Sequence, residues 1–205
     1  MGLAAYAATP RGLVGVAQGA GAIQINGQPF EGQASLWSGD QILTGAGSPL
    51  TVISSPSERI RFEPGTSAEV TKQDASTLVN LANGAIEFQT AGATKTDLPN
   101  GIAVLPSGSA VTLAQVTRLA NGGAQVAVYK GALEIVDADG AVTVGAGHTA
   151  VLNAAQNSGS DDQTDQNKKK KKKVWALFVT IGLSAGATAA IIANEPSRKE
   201  SAIDP

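Results

Sequence analysis

Cysteine is absent from this 205-residue chain, so neither a disulfide nor a thiolate metal site can form. Its absence does not fix a compartment, because exported bacterial-type domains often lack disulfides. Histidine occurs once, at His148. A lone imidazole makes no recognisable zinc site and cannot support a Ser-His-Asp set, so His148 reads as an ordinary strand or turn residue. Aromatic residues amount to 4% of the chain, too few for an obvious sugar-binding platform. Positive charge is scarce over most of the length as well. Residues 1–167 carry 7 Lys+Arg against 14 Asp+Glu, a balance of −7. Phosphate binding needs a basic face, so nucleic acid is excluded as a partner of this part.

What the chain does have is 24 Gly and 9 Pro among many Val, Ile, Thr and Ala. That mixture favours short strands joined by tight turns. From Arg11 to about Leu152 the pattern is β throughout. Ile23 and Ile25 alternate with Gln24, and Asn26-Gly27 then supplies the strongest short hairpin signal. Ile60 and Phe62 alternate with Arg59, Arg61 and Glu63, which predicts a strand with one buried and one wet face. The expected fold class is all-β: a compact β-sandwich or β-roll of many short strands.

The most distinctive stretch is Leu36-Trp37-Ser38-Gly39-Asp40-Gln41-Ile42-Leu43-Thr44-Gly45-Ala46-Gly47-Ser48. It reads as a turn, a short strand and a second turn, with Asp40 holding the first turn by accepting backbone N–H bonds. A shorter phrase recurs three times: Gly21-Ala22-Ile23-Gln24-Ile25, Gly84-Ala85-Ile86-Glu87-Phe88 and Gly131-Ala132-Leu133-Glu134-Ile135. The copies are unevenly spaced, which excludes a solenoid and places similar strand-starts in neighbouring layers of one β structure.

Both ends differ from the middle. Met1 to Ala8 is small and apolar, and Ala5-Tyr6-Ala7 or Tyr6-Ala7-Ala8 resembles a small-residue cleavage site. Residues 1–11 are therefore either the remnant of an export signal or an ordinary unstructured terminus. Residues 153–167 are polar, Lys168 to Lys173 follow as an unbroken run, and the whole of 153–173 is expected to be a disordered linker. Val174 to Ala193 is free of charge over twenty residues, with Trp175 near its lysine end. About 20 such residues cross a bilayer core, so a single transmembrane α-helix over 174–193 is expected, with a polar tail at 194–205. Lys168–Lys173 would then lie near the headgroups. Gly182 and Gly186 form a Gly-x-x-x-Gly pair within the span, a spacing that permits a homodimer.

The region from about residue 12 to 152 resembles the FecR-like domain, named for an iron-citrate sensor-regulator of bacterial envelopes. The likeness rests on Gly21-Ala-Ile-Gln-Ile-Asn-Gly27, on Leu36-x-x-Gly39-Asp40-x-Ile42-x-Thr44-Gly45-x-Gly47-Ser48, on Ile60-Arg-Phe62-x-Pro64-Gly-Thr-Ser67 and on Gly131-Ala-Leu-Glu-Ile135. The resemblance implies a non-enzymatic all-β envelope domain that relays signals or contacts another protein. Three features depart from the family pattern. The apolar segment follows the domain instead of preceding it, and no helical anti-sigma segment is present. The middle, Ile102 to Leu119, has Pro106-Ser-Gly-Ser109 where a Gly-Thr phrase is expected.

Candidate sites are few. Leu36, Gly39, Asp40, Thr44, Gly45 and Ser48 are read as fold-marking residues, with no catalytic, cofactor-binding or metal role assigned to any residue. Asp137-Ala-Asp139-Gly140 resembles the start of a calcium loop but lacks the remaining ligands, so a hairpin turn is the better reading. Asp161, Asp162 and Asp165 belong to the solvated linker. The expected partners are a membrane and an envelope protein, with the β domain outside the cytoplasm on the family resemblance. The lysine run before the span argues for the opposite orientation. A surface carbohydrate-binding module is the rival reading, with Trp37 as its anchor.

Overall fold

A computed structural model describes residues 11–152, apart from positions 93, 100, 109, 138 and 139, together with the backbone of 178–181. These residues are all-β. The strands are β1 Leu13–Ile25, β2 Gln28–Trp37, β3 Asp40–Thr44, β4 Leu50–Ser55, β5 Glu58–Phe62, β6 Ser67–Gln73, β7 Ser76–Asn83 and β8 Ala85–Thr90. They continue with β9 Thr94–Leu98, β10 Ile102–Pro106, β11 Thr112–Arg118, β12 Ala124–Lys130, β13 Ala132–Asp137, β14 Gly140–Gly145, β15 His148–Leu152 and β16 Phe178–Ile181. Strands thus run through the described residues from Leu13 to Leu152.

Local sequence explains the elements. Asn26 and Gly27 take φ of 52° and 73°, the left-handed pair that a two-residue hairpin turn demands, and β1 and β2 are joined there. In β5, Ile60 and Phe62 are buried while Arg59 and Arg61 face solvent, as the alternation predicts.

Hydrogen bonds join all the strands into a single 16-stranded sheet, which has two arms meeting at β1. Residues 16–19 of β1 pair with β4, and residues 23–25 pair with β3. Between these stretches the β1–β2 pairing shifts register, from Gly19↔Gly32 to Ile23↔Phe30. The extra residues in β1 make a bulge that bends the ribbon. One hairpin thus begins both arms. The first arm runs β3-β6-β7-β9-β10-β13-β14 and the second β4-β5-β8-β11-β12-β15-β16.

The chain crosses repeatedly between the arms: after β3, β5, β7, β8, β10, β12 and β14. Strands pair antiparallel except β7 and β9, which flank the single strand β8 in the chain and are parallel. Ile42, Val70, Leu81 and Leu133 of the first arm share one buried cluster with Val52, Phe62, Phe88 and Val126 of the second. The arms therefore close over a common core. Each fully buried side chain of this kind contributes on the order of 1.5–3 kcal/mol.

The C-terminal segment differs from expectation where it is described. Within the 174–193 stretch read as a helix, Phe178–Ile181 is a strand paired antiparallel with β15. Phe, Val, Thr and Ile are strong β-formers, and β15 offers them a sheet edge. The remainder of 174–193 lies outside the described residues, as do 1–10, 153–173 and 194–205. Among the described residues no helix is long and apolar enough to cross a membrane.

Candidate functional site

The Leu36–Ser48 stretch sits where the hairpin tip, the start of β3 and the first crossover meet. Asp40 is 3% exposed at the first residue of β3. Its Oδ2 accepts the backbone N–H of Trp37 at 2.7 Å. Its Oδ1 accepts Nδ2 of Asn26 at 2.9 Å and lies 3.4 Å from Nη1 of Arg11. Asn26 passes the connection on, since its Oδ1 accepts the Gln41 amide at 2.9 Å. The carboxylate thus ties the β1–β2 turn, the end of β2 and the entry to β3 into one node. Both oxygens are engaged by the protein itself, as a buried carboxylate requires.

The other motif residues are occupied in the same way. Leu36 is fully buried in the core. The Gly39 amide donates to the Val70 carbonyl at 2.7 Å, and Ser38 Oγ accepts the Lys72 amide at 3.0 Å. Thr44 donates its hydroxyl to the Glu63 carbonyl at 2.6 Å and accepts the Thr66 amide at 2.8 Å. The Gly45 amide reaches the Ala22 carbonyl at 2.6 Å, so close that a Cβ at Gly45 would stand 2.6 Å from that of Ala22. Ser48 Oγ accepts the Ala22 amide at 2.9 Å. The motif's polar groups are thus bonded within the protein, Asp40 at the start of β3 and Thr44 and Ser48 at and just beyond its end.

The recurring Gly-Ala phrase acquires a physical meaning in the same geometry. Each copy is a place where the chain changes arms, and each meets a buried hydroxyl. Gly84 (φ +85°) lies against Thr66, which donates to the Ala85 carbonyl at 2.8 Å and accepts the Ala85 amide at 3.1 Å. Gly131 (φ +76°) lies against Thr112, whose hydroxyl is 3.3 Å from the Ala132 carbonyl. Gly21 lies against Ser48 at the bend of β1. At this corner the threonine is Thr112, a few residues after Pro106-Ser-Gly-Ser109. Sequence reasoning found the glycines but missed their partners. Ser48 follows its glycine, while Thr66 and Thr112 precede theirs, so no fixed spacing announces the pair.

Of the remaining candidates, His148 and Asp137 are among the described residues. His148 Nδ1 is 3.0 Å from the Ala146 carbonyl, in the turn before β15. Asp137 accepts the Gly140 amide at 3.0 Å, the behaviour of a turn aspartate; Asp139 lies outside the described residues. So do Asp161, Asp162, Asp165, Lys168–Lys173, Gly182 and Gly186. Among the described residues no group of three or more His, Asp or Glu is placed to hold a metal ion.

Trp37 is 43% exposed, and its cross-strand neighbour Leu13 is 50% exposed. Tyr129, 53% exposed, donates its hydroxyl to Gln115 Oε1 at 3.3 Å. The two aromatics do not form a platform. In the order β2-β1-β4-β5-β8-β11-β12 they are six strands apart along the sheet.

No family model matches the sequence, and no curated protein matches it either. The chain is similar to two crystal structures of a "putative anti-sigma factor" from Parabacteroides distasonis ATCC 8503. One is 15% identical with a TM-score of 0.45, covering 57% of this chain and 56% of that one. The other is 14% identical with a TM-score of 0.46, covering 57% of this chain and 55% of that one. The match spans little more than half the length of those proteins.

Proposed function

We propose that this chain is a membrane-anchored, non-enzymatic FecR-like envelope domain, a β-sandwich or β-roll that acts in protein interaction or signal sensing. The observation that carries the reading is the way the Leu36–Ser48 motif is used. Asp40, its only carboxylate, has both oxygens bonded to the turns it organises, and Thr44 and Ser48 are bonded to backbone. The motif defines a scaffold and presents no reactive group to solvent. Function then belongs to the outer surface and to the membrane segment at 174–193, where twenty uncharged residues follow six lysines.

Protease treatment of intact spheroplasts tests the anchoring and the side of the membrane together. An exported domain is digested in intact cells and leaves only the C-terminal segment protected. Protection of residues 1–152 until lysis would place the domain inside and sink the exported version.

The exposure of Trp37 favours one other reading, a surface module binding a carbohydrate or small ligand. Trp37→Ala separates the two, since it abolishes glycan binding in that case and leaves an envelope-protein contact elsewhere on the domain intact.

A further inference from the structure

The residues from Val174 to Ala193 face two demands that one conformation cannot meet. Spanning a hydrocarbon core of about 30 Å takes about 20 helical residues at 1.5 Å each. The apolar stretch has that number and little reserve, lying between Lys173 and the polar pair Asn194-Glu195. Yet Phe178–Ile181 is a strand on the second arm, in the register Val151↔Phe178, Ala150↔Val179, Thr149↔Thr180 and His148↔Ile181. With those four residues extended on the sheet, the stretch beyond them, 182–193, reaches only about 18 Å as a helix. A spanning helix and the docked strand are therefore mutually exclusive.

The sheet supplies the reason for docking. β15 pairs with β12 along one edge, and β16 covers the other. An uncovered edge strand presents unpaired N–H and C=O groups that invite another chain. The 25 residues 153–177 join the adjacent ends of β15 and β16, and closure cost rises only slowly with loop length. Four residues make few ladder bonds, so the strand is held in place weakly enough to leave. Charge also acts on both states: six lysines stand just before Phe178, while residues 1–167 carry −7. The same lysines are attracted to anionic headgroups.

We propose that Phe178–Ile181 is an exchangeable cover for the β15 edge. The segment closes the edge when out of the bilayer and leaves it open when it spans. The membrane half of this exchange rests on the anchoring reading above; the docked half does not.

The test uses the full-length chain, which offers no competing thiols. Thr149→Cys with Thr180→Cys joins two cross-strand neighbours. Antiparallel neighbours of either kind have Cα atoms about 4.5–5.5 Å apart, within disulfide reach. Thr149→Cys with Ser201→Cys serves as the control for random encounter. Without lipid, the registered pair is expected to oxidise about tenfold faster than the control, as a docked segment has a high effective concentration. Vesicles containing phosphatidylglycerol are expected to bring its rate down to that of the control. In the unsubstituted chain, those backbone amides of β15 that point toward β16, on alternate residues of the strand, are expected to lose hydrogen-exchange protection on the same vesicles.

Equal rates for the two pairs without lipid would overturn the docked strand. Undiminished cross-linking in protein that withstands an alkaline wash of the vesicles would overturn the exclusion. Failure of the chain to enter vesicles at all would remove the anchoring reading and the exchange with it. The rate measured without lipid reports the docked strand independently of that outcome.

Discussion

Two crossovers in this fold begin with nearly the same words and are built differently. At Gly84-Ala85, Thr66 both donates to and accepts from the backbone of Ala85, at 2.8 and 3.1 Å. At Gly131-Ala132, Thr112 makes longer contacts, 3.3 Å to the Ala132 carbonyl and 3.4 Å to that of Ala110. The steric demand is shared, since both glycines have positive φ and would drive a Cβ into the threonine. The bonding is not. The comparison teaches that the phrase is repeated for the backbone's sake: two segments must pass within a side chain's width as the chain changes arms. The hydroxyl secures the passage more firmly at one corner than at the other.

Substituting the glycines is the largest perturbation available to this comparison. A Cβ at Gly84 would stand 2.5 Å from the Thr66 Cα, 2.6 Å from its hydroxyl oxygen and 2.8 Å from the Gly65 carbonyl oxygen, so two of the three nearest atoms are backbone inside 3 Å. Gly84→Ala is therefore expected to cost about 3 kcal/mol, combining left-handed strain with overpacking. At Gly131 the nearest atom is the Thr112 hydroxyl at 2.6 Å, with the Cα at 3.0 Å. Gly131→Ala is expected to cost about 2 kcal/mol on the same grounds. Urea unfolding of the two variants measures the difference. Adding Thr112→Ala should recover more of the loss at Gly131 than Thr66→Ala recovers at Gly84, because at Gly84 backbone atoms at 2.5 and 2.8 Å stay in the way after the hydroxyl is removed. Equal recovery at both corners would refute the distinction.

The third corner, the bend of β1, carries a carboxylate as well as a hydroxyl. Asp40→Ala removes the acceptor for the Trp37 amide and for Asn26 Nδ2 in a buried setting. Bonds to a charged acceptor contribute more than neutral ones, and their loss leaves donors unpaired, so a cost of about 2–3 kcal/mol is expected. Asp40→Asn keeps the shape and can still accept at one oxygen. It should lose less than the alanine variant in the same unfolding experiment, and equal losses would mean that space filling alone matters at this position.

Much of this architecture was legible in the chain. Alternation located strands such as Glu58–Phe62, Asn26-Gly27 located the first hairpin, and the Gly-Ala copies marked strand-starts at Ala85 and Ala132, the copy at Gly21 lying instead within β1. These are local signals, carried by residues next to one another. The illegible parts depend on distant pairing. Nothing in β1 announces that its two halves serve different arms. β2 shows no clean alternation, because eight of its ten positions are exposed and only Leu36 is buried. The candidate site divided along the same line. Asp40 was recognised as a turn-holding residue from its place after Gly39, but its bond to Asn26 joins residues fourteen apart. Thr66 and Thr112 were invisible as corner partners for that reason too. Phe178–Ile181 reads as part of a helix by its uncharged surroundings, and only the neighbouring β15 edge makes it a strand.

The hydroxyls give a smaller and more discriminating test than the glycines. Val is nearly isosteric with Thr, so Thr→Val deletes the bonding while keeping the volume. At Thr66 the substitution removes a donor–acceptor pair to Ala85 and is expected to cost about 1–2 kcal/mol, leaving that backbone amide and carbonyl short of a partner. At Thr112 the longer contacts predict less than about 1 kcal/mol.

Arg11 should give the smallest effect of all. Its guanidinium approaches Asp40 Oδ1 at 3.4 Å, but its side chain is 64% exposed against 5% for the carboxylate. Water already stabilises the charge on one partner, and the Coulomb gain is screened. Arg11→Ala is therefore expected to cost about 0.5 kcal/mol or less, with the difference from the unsubstituted chain shrinking as salt is added. Asp40 would keep its bonds to Trp37 and Asn26, which were formed without any cation. A loss as large as that of Asp40→Ala, unchanged by salt, would reverse the assignment: the arginine, not the two neutral donors, would then be what holds the buried carboxylate in place.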